Sequence, residues 1–211
     1  AKLSPNRLVF AEADHMEVLK AAQIVYEEGI AIPILLGNIP MIKELRRIIE
    51  FNDDVEMIDP KEEKEKELRK KYAQLFWNSQ KRKGYTLYDS QRLMRERNHF
   101  GSMMIKNGDA DAMISGYSRN YRNVVKPILE IIPKNKGVNR VAATNLMLTK
   151  SGPLFLSDTT INVDPSAKQL AKIASMTGQM AKIFGMEPII GMLSFSNFGS
   201  SRYPCLLYTS D

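Results

Sequence analysis

Two short loops rich in serine and glycine carry the residue types in this chain that could do chemistry. Residues 115–120 read Ser-Gly-Tyr-Ser-Arg-Asn, and residues 194–201 read Ser-Phe-Ser-Asn-Phe-Gly-Ser-Ser. Small residues let backbone N–H groups approach a phosphate or a carboxylate, and the N-terminus of a following helix favours the same anion. This composition predicts an anion-binding site, with ordinary strand-to-helix turns as an equally good interpretation.

Two arginines could add charge-assisted hydrogen bonds to such an anion. Arg119 lies inside the first loop, and Arg82 lies in a basic run that ends at Gly84. Basic clusters close to loop glycines suit a phosphorylated small molecule as well as a nucleic-acid backbone. The loops and arginines together give the candidate ligand-binding residues Arg82, Ser115, Gly116, Ser118, Arg119, Ser196, Asn197, Gly199 and Ser200.

Other kinds of site have less support. His15 and His99 are far apart and have no ligand spacing to a second histidine or a cysteine, so no metal site is expected. Asp109 and Asp111 could act as paired carboxylates, but two such residues before a strand are more often turn and capping groups. The chain contains no G-x-S-x-G, Walker A or G-x-G-x-x-G motif, which removes the main support for a hydrolase, an NTPase or a dinucleotide-binding domain.

The composition is that of an ordinary globular protein. The chain has 211 residues, of which 44% are hydrophobic and 26% charged, so it can bury a core. No run approaches 18 apolar residues, and residues 1–6 lack the apolar stretch of a secretory signal. Because Cys205 is the only cysteine, no internal disulfide can form, and we expect a cytoplasmic protein without membrane contact.

The net charge of +6, from 30 basic and 24 acidic residues, raises the question of a polyanionic partner. The signs are mostly mixed, however, as in residues 61–71, where opposite charges recur three and four residues apart in the pattern of a solvated helix face. No helix-turn-helix, zinc-finger or RNA-stacking motif accompanies the charge. A nucleic-acid partner is therefore not expected.

Short apolar strands alternate with longer helical patterns in the first two thirds of the chain. Strands are predicted at residues 7–11, 32–37, 55–58 and 112–115, and helices at 14–28, 41–50, from Pro60 toward Arg82, after the cap Thr86, and around Met103. This alternation predicts a layered α/β fold with a mostly parallel sheet. Residues 115–120 then follow the carboxyl end of a strand, where open α/β sheets place their ligands.

The pattern changes near residue 135. Residues 140–149 and 154–156 flank the turn 150–153 and predict an antiparallel hairpin, followed by a helix capped by Asp164 and a last strand at 188–194. We therefore expect a first lobe at residues 1–135 and the start of a second lobe at 136–201. Residues 202–211 resemble translated adaptor or vector sequence, which would leave the second lobe truncated.

In sequence order, several of these segments resemble the phosphate acetyltransferase family, and more closely the acetyltransferase-like C-terminal region of hybrid NADP-dependent malic enzymes. The matching segments are residues 7–12, 21–25, 29–37, 100–104, 108–111, 115–116, 158–162 and 194–201. The resemblance implies a layered αβα fold of the phosphate acetyltransferase-like (isocitrate/isopropylmalate dehydrogenase-like) type, with two lobes. It also adds Lys126 to the candidate ligand-binding residues, at a position that is usually arginine in an Arg-Pro pair.

The last loop separates two branches of this resemblance. Acetyltransferases typically read Ser-Thr-Lys-Gly-Ser there, whereas the hybrid malic enzymes read Ser-Asn-Phe-Gly-Ser-Ser, as residues 196–201 do. Asn197 and Phe198 in place of Thr-Lys remove a cation from a loop that would face an acyl phosphate. The family's catalytic Ser-Arg and Asp set lies beyond Ser201, so no catalytic residue is assigned in this chain.

The resemblance implies a division of labour within a larger enzyme. This region is expected to hold no cofactor of its own, to bind acetyl-CoA as an allosteric regulator and to help assemble homo-oligomers. An N-terminal part of the parent would bind malate, NADP and Mg or Mn, and would convert malate to pyruvate by oxidative decarboxylation. Two alternatives are a genuine phosphate acetyl- or butyryltransferase and a non-catalytic oligomerisation module.

Overall fold

The structure is a computed structural model that describes residues 4–51, 54–135, 138, 140–162 and 164–193. The chain divides into two compact units, Ala1–Pro133 and Lys134–Asp211. The second predicted anion loop, with Ser196, Asn197, Gly199 and Ser200, lies outside the described residues, as does the predicted foreign tail at 202–211.

The first unit contains a four-stranded parallel sheet. Its strands are β1 (Asn6–Phe10), β2 (Ala31–Leu36), β3 (Glu56–Ile58) and β4 (Ala112–Ile114), in the spatial order β3-β2-β1-β4. All three strand pairs are parallel, which confirms the predicted sheet. The chain leaves β1 toward β2 on one side and returns to β4 on the other, so a crevice forms beyond the carboxyl ends of β1 and β4.

Six α-helices accompany this sheet in the described part of the first unit. They are α1 (Met16–Glu27), α2 (Ile39–Ile48), α3 (Lys66–Gln80), α4 (Leu87–Leu93), α5 (Arg97–Asn107) and α6 (Tyr121–Ile131). The prediction that α3 starts at Pro60 is wrong. The Asp59 carboxylate accepts the N–H of Lys61 at 2.9 Å, which holds a turn there, and a 3₁₀ turn at Glu63–Glu65 precedes the helix.

Helices cover both faces of the sheet, and each face has its own core. Val9 of β1 packs into one cluster, with Tyr72, Phe76 and Phe100 among its members, while the next residue, Phe10, packs into the other. This alternation follows from the pleat of a strand whose two faces are both buried. Met103 is fully buried in the first cluster, where its side chain fills part of the core.

Gly101 allows α5 to lie close against the sheet. A Cβ atom at this position would stand 2.6 Å from the sulfur of Met113 in β4. A larger residue would therefore push the helix away from the strand or displace Met113. The close packing brings Arg97 and Asn98, at the start of α5, toward the carboxyl ends of the strands.

The second unit contains an antiparallel hairpin and one long helix. β5 (Thr144–Thr149) pairs with β6 (Gly152–Ser157), which confirms the predicted hairpin, and α7 (Ala167–Ile183) follows. The predicted cap Asp164 is wrong by two residues, because Ser166 and Gln169 form a capping box. The predicted strand at 188–194 is wrong for its described part, because residues 188–193 form no strand. Among the described residues, β5 and β6 pair only with each other.

The loop after β6 is organised by one carboxylate. The Oδ1 atom of Asp158 accepts the N–H groups of Ala143 at 3.0 Å and Ile161 at 3.1 Å, and its Oδ2 atom accepts that of Asn162 at 2.9 Å. Although burial alone would raise the pKa of Asp158, the hydrogen bond from the Asn162 side-chain amide and those from the N–H groups of Ile161, Thr160 and Ala143 hold it below its ordinary value. The 158–162 segment is therefore a structural element of the second unit.

Candidate functional site

A cavity of about 310 Å³ lies in the first unit at the carboxyl ends of β1 and β4, and we call it the sheet-end cavity. The end of β1, the start of α5 and the segment that leads into α6 contribute its walls. It is lined by Ala11, Glu12, Glu96, Arg97, Asn98, His99, Arg119, Asn123, Lys126 and Pro127. Three cations and two amides outnumber its two carboxylates, so the cavity suits a polar, anionic ligand.

The structure brings some of the predicted ligand-binding residues to this cavity and leaves others elsewhere. Arg119 and Lys126 line it, whereas Ser115 lines a neighbouring apolar cavity that includes Phe10 and Ile114. Arg82 lies exposed in the 3₁₀ turn Lys81–Lys83 and is not among the lining residues of the sheet-end cavity. Arg82 and Arg119 therefore do not meet in this cavity.

The loop at residues 115–118 directs its backbone donors at a carboxylate of the protein itself. The Oε1 atom of Glu12 accepts the N–H groups of Gly116 at 2.7 Å and Tyr117 at 3.0 Å. Its Oε2 atom accepts the N–H of Ser118 at 2.7 Å and the Ser118 hydroxyl. The expectation that these donors are open to an external anion is thus corrected: Glu12 already occupies them. Ligand contact by Ser115, Gly116 and Ser118 stays a prediction.

Local sequence explains the shape of this loop. Gly116 has a φ of 111°, a value that side-chain-bearing residues rarely adopt, and it lets successive N–H groups converge on Glu12. The Ser115 hydroxyl donates to the amide oxygen of Asn98 at 2.7 Å, which ties the loop to α5. Asn120 then caps α6 by accepting the N–H of Asn123 at 3.1 Å.

The hydrogen bonds to Glu12 strongly favour its ionised form. Its side chain is almost fully buried, and burial alone would raise the pKa of the carboxyl. The Ser118 hydroxyl and the N–H groups of Gly116, Ser118 and Tyr117 overcome that effect and lower the pKa of Glu12 to about 2. The carboxylate is therefore charged at neutral pH, and loop dipoles stabilise it.

The three cations of the cavity differ in how closely each one pairs with a carboxylate of the protein. Arg97 forms a two-bond ion pair with Asp14. The Lys126 ammonium lies 3.7 Å from Oε1 of Glu130 and is 60% exposed. The Arg119 guanidinium is exposed and has no acceptor within bonding distance in the described part of the chain. Arg119 is consequently the cation best placed to bind an anion in the cavity.

A buried polar cluster backs the cavity. The Tyr85 hydroxyl donates to Oε1 of Glu130 at 2.7 Å, and Nε2 of His99 lies 3.6 Å from Oε2 of the same carboxylate. Burial lowers the pKa of His99 below its ordinary value, so its imidazole is neutral at pH 7, while burial and Glu130 raise the pKa of Tyr85 to about 12. The contact between His99 and Glu130 joins α5 to α6. On α6, Glu130 lies one helical turn after Lys126.

Asp109 and Asp111 act in holding the fold together. Asp111 accepts the backbone N–H of Arg7 at 2.8 Å and also pairs with its guanidinium at 3.1 Å. Asp109 accepts the Tyr72 hydroxyl at 2.6 Å. The two carboxylates thus join the connection before β4 to β1 and α3, and neither lines the sheet-end cavity.

Sequence reasoning missed several residues of the cavity, above all Glu12, Arg97, Asn98 and Asn123. Two signals could have found some of them. Glu12 is the first charged residue after the apolar run of β1, at the end of the sheet where ligands bind. Asn123 and Lys126 are three residues apart on one helix, a spacing that places them on the same face.

Neither a metal-ligand cluster nor a membrane-spanning helix is found among the described residues. These residues contain no group of three or more histidine, cysteine, aspartate or glutamate side chains arranged to hold a metal ion. In the same part of the chain, no helix has the length and apolar character needed to cross a membrane.

Known proteins resemble this chain along nearly its whole length. The family described as phosphate acetyl/butaryl transferase matches residues 1–209. A phosphate acetyltransferase of Synechocystis is 34% identical over 205 residues, which are 96% of this chain and 29% of that protein. An NADP-dependent malic enzyme of Salmonella typhimurium is 36% identical over 210 residues, which are 96% of this chain and 27% of that protein. The chain thus spans less than a third of either relative.

Solved structures share its fold. The EutD phosphotransacetylase from Staphylococcus aureus has a TM-score of 0.77 at 30% identity, covering 94% of this chain and 59% of that one. A phosphotransacetylase from Streptococcus pyogenes has a TM-score of 0.78 at 32% identity, covering 95% and 60%. These matches confirm the predicted phosphate acetyltransferase-like fold. The chain belongs to the phosphate acetyl/butaryl transferase family.

Proposed function

We propose that this chain is the phosphate acetyltransferase-like domain of an NADP-dependent malic enzyme, and that it binds acetyl-CoA as a regulatory ligand. The observation that carries the proposal is the exposed guanidinium of Arg119 in the sheet-end cavity, next to Lys126. Phosphate groups of a CoA ester can accept paired hydrogen bonds from a guanidinium. They can also form an ion pair with an ammonium group. The amides of Asn98 and Asn123 offer further hydrogen bonds.

The size of the cavity bears on which part of the ligand it holds. Its volume of about 310 Å³ is at the low end for small-molecule sites. A phosphate-bearing portion of a CoA ester fits this volume, with the rest of the ligand outside. An acyl phosphate would satisfy the same cations.

The choice of a malic enzyme as the parent rests on sequence. Residues 196–201 read Ser-Asn-Phe-Gly-Ser-Ser, the form associated with hybrid malic enzymes, and the Salmonella relative is one of several malic enzymes that match the chain. In this proposal a separate part of the parent binds malate, NADP and a divalent metal. Acetyl-CoA then regulates by binding two states of the enzyme with different affinities.

A second candidate is a genuine phosphotransacetylase, favoured by the two solved phosphotransacetylases and the Synechocystis relative. In that reaction the thiolate of CoA attacks the carbonyl carbon of acetyl phosphate. The new carbon–sulfur bond gives acetyl-CoA, and the carbon–oxygen bond to phosphate breaks to release inorganic phosphate. The same cations would then hold the acyl phosphate.

Calorimetric titration of the chain with acetyl-CoA tests the binding step. Arg119→Ala and Lys126→Ala should each weaken binding by about tenfold, because each removes a charge-assisted bond. Arg47→Ala, at an exposed position of α2, is the matched control and should bind as the wild type does. A wild-type chain that binds no acetyl-CoA would overturn the proposal.

Two assays on the intact parent separate the candidates. Malate-dependent formation of NADPH that changes on addition of acetyl-CoA supports the regulatory role, and malate oxidation that is indifferent to saturating acetyl-CoA contradicts it. Formation of acetyl-CoA from acetyl phosphate and CoA selects the phosphotransacetylase instead.

A further inference from the structure

Glu12 is a buried charge in the wall of a cavity suited to anions. Glu12 is only 2% exposed, and no lysine, arginine or histidine forms an ion pair with its carboxylate in the described part of the chain. In that part of the chain the charge is balanced by hydrogen bonds from the 115–118 loop: the N–H groups of Gly116, Tyr117 and Ser118, the Ser118 hydroxyl and, at 3.4 Å, the Ser115 hydroxyl. Burying a carboxylate costs free energy even when it is hydrogen-bonded, so these bonds must be well formed for the arrangement to persist.

The loop clamped by Glu12 leads directly to Arg119, the cavity cation with no acceptor among the described residues. Ser118, which donates both its N–H and its hydroxyl to Glu12, immediately precedes Arg119. Asn120 then starts α6, which carries Asn123 and Lys126. The hydrogen bonds of Ser118 therefore fix the backbone position from which the Arg119 side chain extends.

We infer that Glu12 is a positioning residue, which clamps the 115–118 loop and so aims Arg119 at the phosphate of a CoA ester in the sheet-end cavity. The identity of the ligand rests on the proposed function. Glu12 itself does not contact the ligand, because both of its oxygens are engaged by loop donors. Those donors also offset the negative charge that the carboxylate would otherwise present to an anion.

Two substitutions at Glu12 separate the effect of its charge from the effect of its side-chain length. Glu12→Gln removes the charge and replaces one acceptor by a donor, which faces the loop N–H groups. Glu12→Asp keeps the charge but is one methylene shorter, so its oxygens cannot reach all the donors. Both should bind acetyl-CoA about tenfold more weakly, because the loop no longer holds Arg119 in place. Glu44→Gln makes the same chemical change at an exposed site on α2 and should leave binding unchanged.

Binding is measured by calorimetry on samples whose circular dichroism shows a folded chain. Both variants are expected to be less stable, and Glu12→Asp serves if Glu12→Gln does not fold. If the wild type binds acetyl-CoA and the variants bind it equally tightly, the inference is overturned but the proposed function is not. Tighter binding by Glu12→Gln also overturns it, since that result would mean that the carboxylate only repels the ligand. A wild-type chain that binds no acetyl-CoA overturns the proposed function, and the inference falls with it.

A double-mutant cycle with Arg119→Ala distinguishes positioning from a general structural role. If Glu12 acts through Arg119, Glu12→Gln should change the dissociation constant by less than about twofold in the Arg119→Ala background. A loss that is just as large in that background as in the wild type would contradict the inference.

Discussion

The guanidinium of Arg97 and the carboxylate of Asp14, 83 residues apart in the chain, form a two-bond ion pair beside the sheet-end cavity. Nη1 of Arg97 donates to Oδ1 of Asp14 at 2.6 Å, and Nη2 donates to Oδ2. The side chains are 20% and 8% exposed, respectively. The pair joins the segment before α1 to the start of α5, and it fixes one wall of the cavity independently of any ligand.

Removing the carboxylate of this pair should be costly. In Asp14→Asn the Arg97 guanidinium stays largely buried without its counter-charge, so we expect the free energy of unfolding to fall by about 3 kcal/mol. Urea denaturation measures this loss. The double variant Asp14→Asn/Arg97→Gln should lose less than the sum of the two single variants, because the stranded charge is then absent. A loss within about 0.5 kcal/mol for Asp14→Asn would show that the pair is effectively solvated.

The four strands of the first unit and the hairpin of the second were predictable from sequence, whereas the pairing of charges was not. Apolar runs and helical periodicity are local signals, so the strand that ends at Phe10 and the helix capped by Thr86 could be read directly from neighbouring residues. The start of α3 was missed because one side-chain hydrogen bond, from Asp59, outweighs the tendency of Pro60 to begin a helix.

The candidate site was predictable only in part, for a related reason. Arg119 was found because it lies in a recognisable loop, and Lys126 because the family resemblance marks its position. Glu12 meets the 115–118 loop across 104 residues to Gly116. Its place after the apolar run of β1 marks the correct end of the sheet, but no local pattern shows which loop it would contact. Its partner depends on the parallel pairing of β1 with β4, which is settled only when the sheet forms.

His99 should make the first unit less stable as the pH falls below neutrality. Burial lowers the pKa of the folded-state imidazole below its ordinary value of 6.5, so the unfolded chain binds more protons between those two pKa values. The free energy of unfolding should therefore decrease as the pH is lowered from about 7 through that range. His99→Gln should flatten this slope in denaturation curves measured at several pH values. His15→Gln, at the other histidine, controls for the loss of one titratable group, and an equal flattening in both variants would contradict the assignment.

Glu12 should contribute to the loss of stability at low pH. Its pKa is about 2 in the folded chain against an ordinary value of 4.5, so its contribution is present above pH 4.5 and is lost as the pH falls toward 2. Integrated over this range, the contribution is about 3 kcal/mol. Acid denaturation followed by circular dichroism should show a shallower acid limb for Glu12→Gln than for Glu44→Gln. An unchanged acid limb would mean that Glu12 is not ionised and clamped in the folded chain.

Gly116→Ala should weaken the clamp through the backbone alone. A Cβ atom at residue 116 would meet nothing closer than Cγ2 of Val124 at 4.0 Å, so there is space for it. The φ of 111° is nevertheless unfavourable for alanine, and we expect a loss of about 1–2 kcal/mol in stability together with weaker acetyl-CoA binding. Gly191→Ala, where φ is not in the left-handed region and a Cβ atom also meets nothing within 4 Å, is the matched control. Thermal unfolding and calorimetric titration of both variants measure the two effects. If Gly116→Ala binds acetyl-CoA as tightly as Gly191→Ala, the geometry of the loop does not govern the position of Arg119.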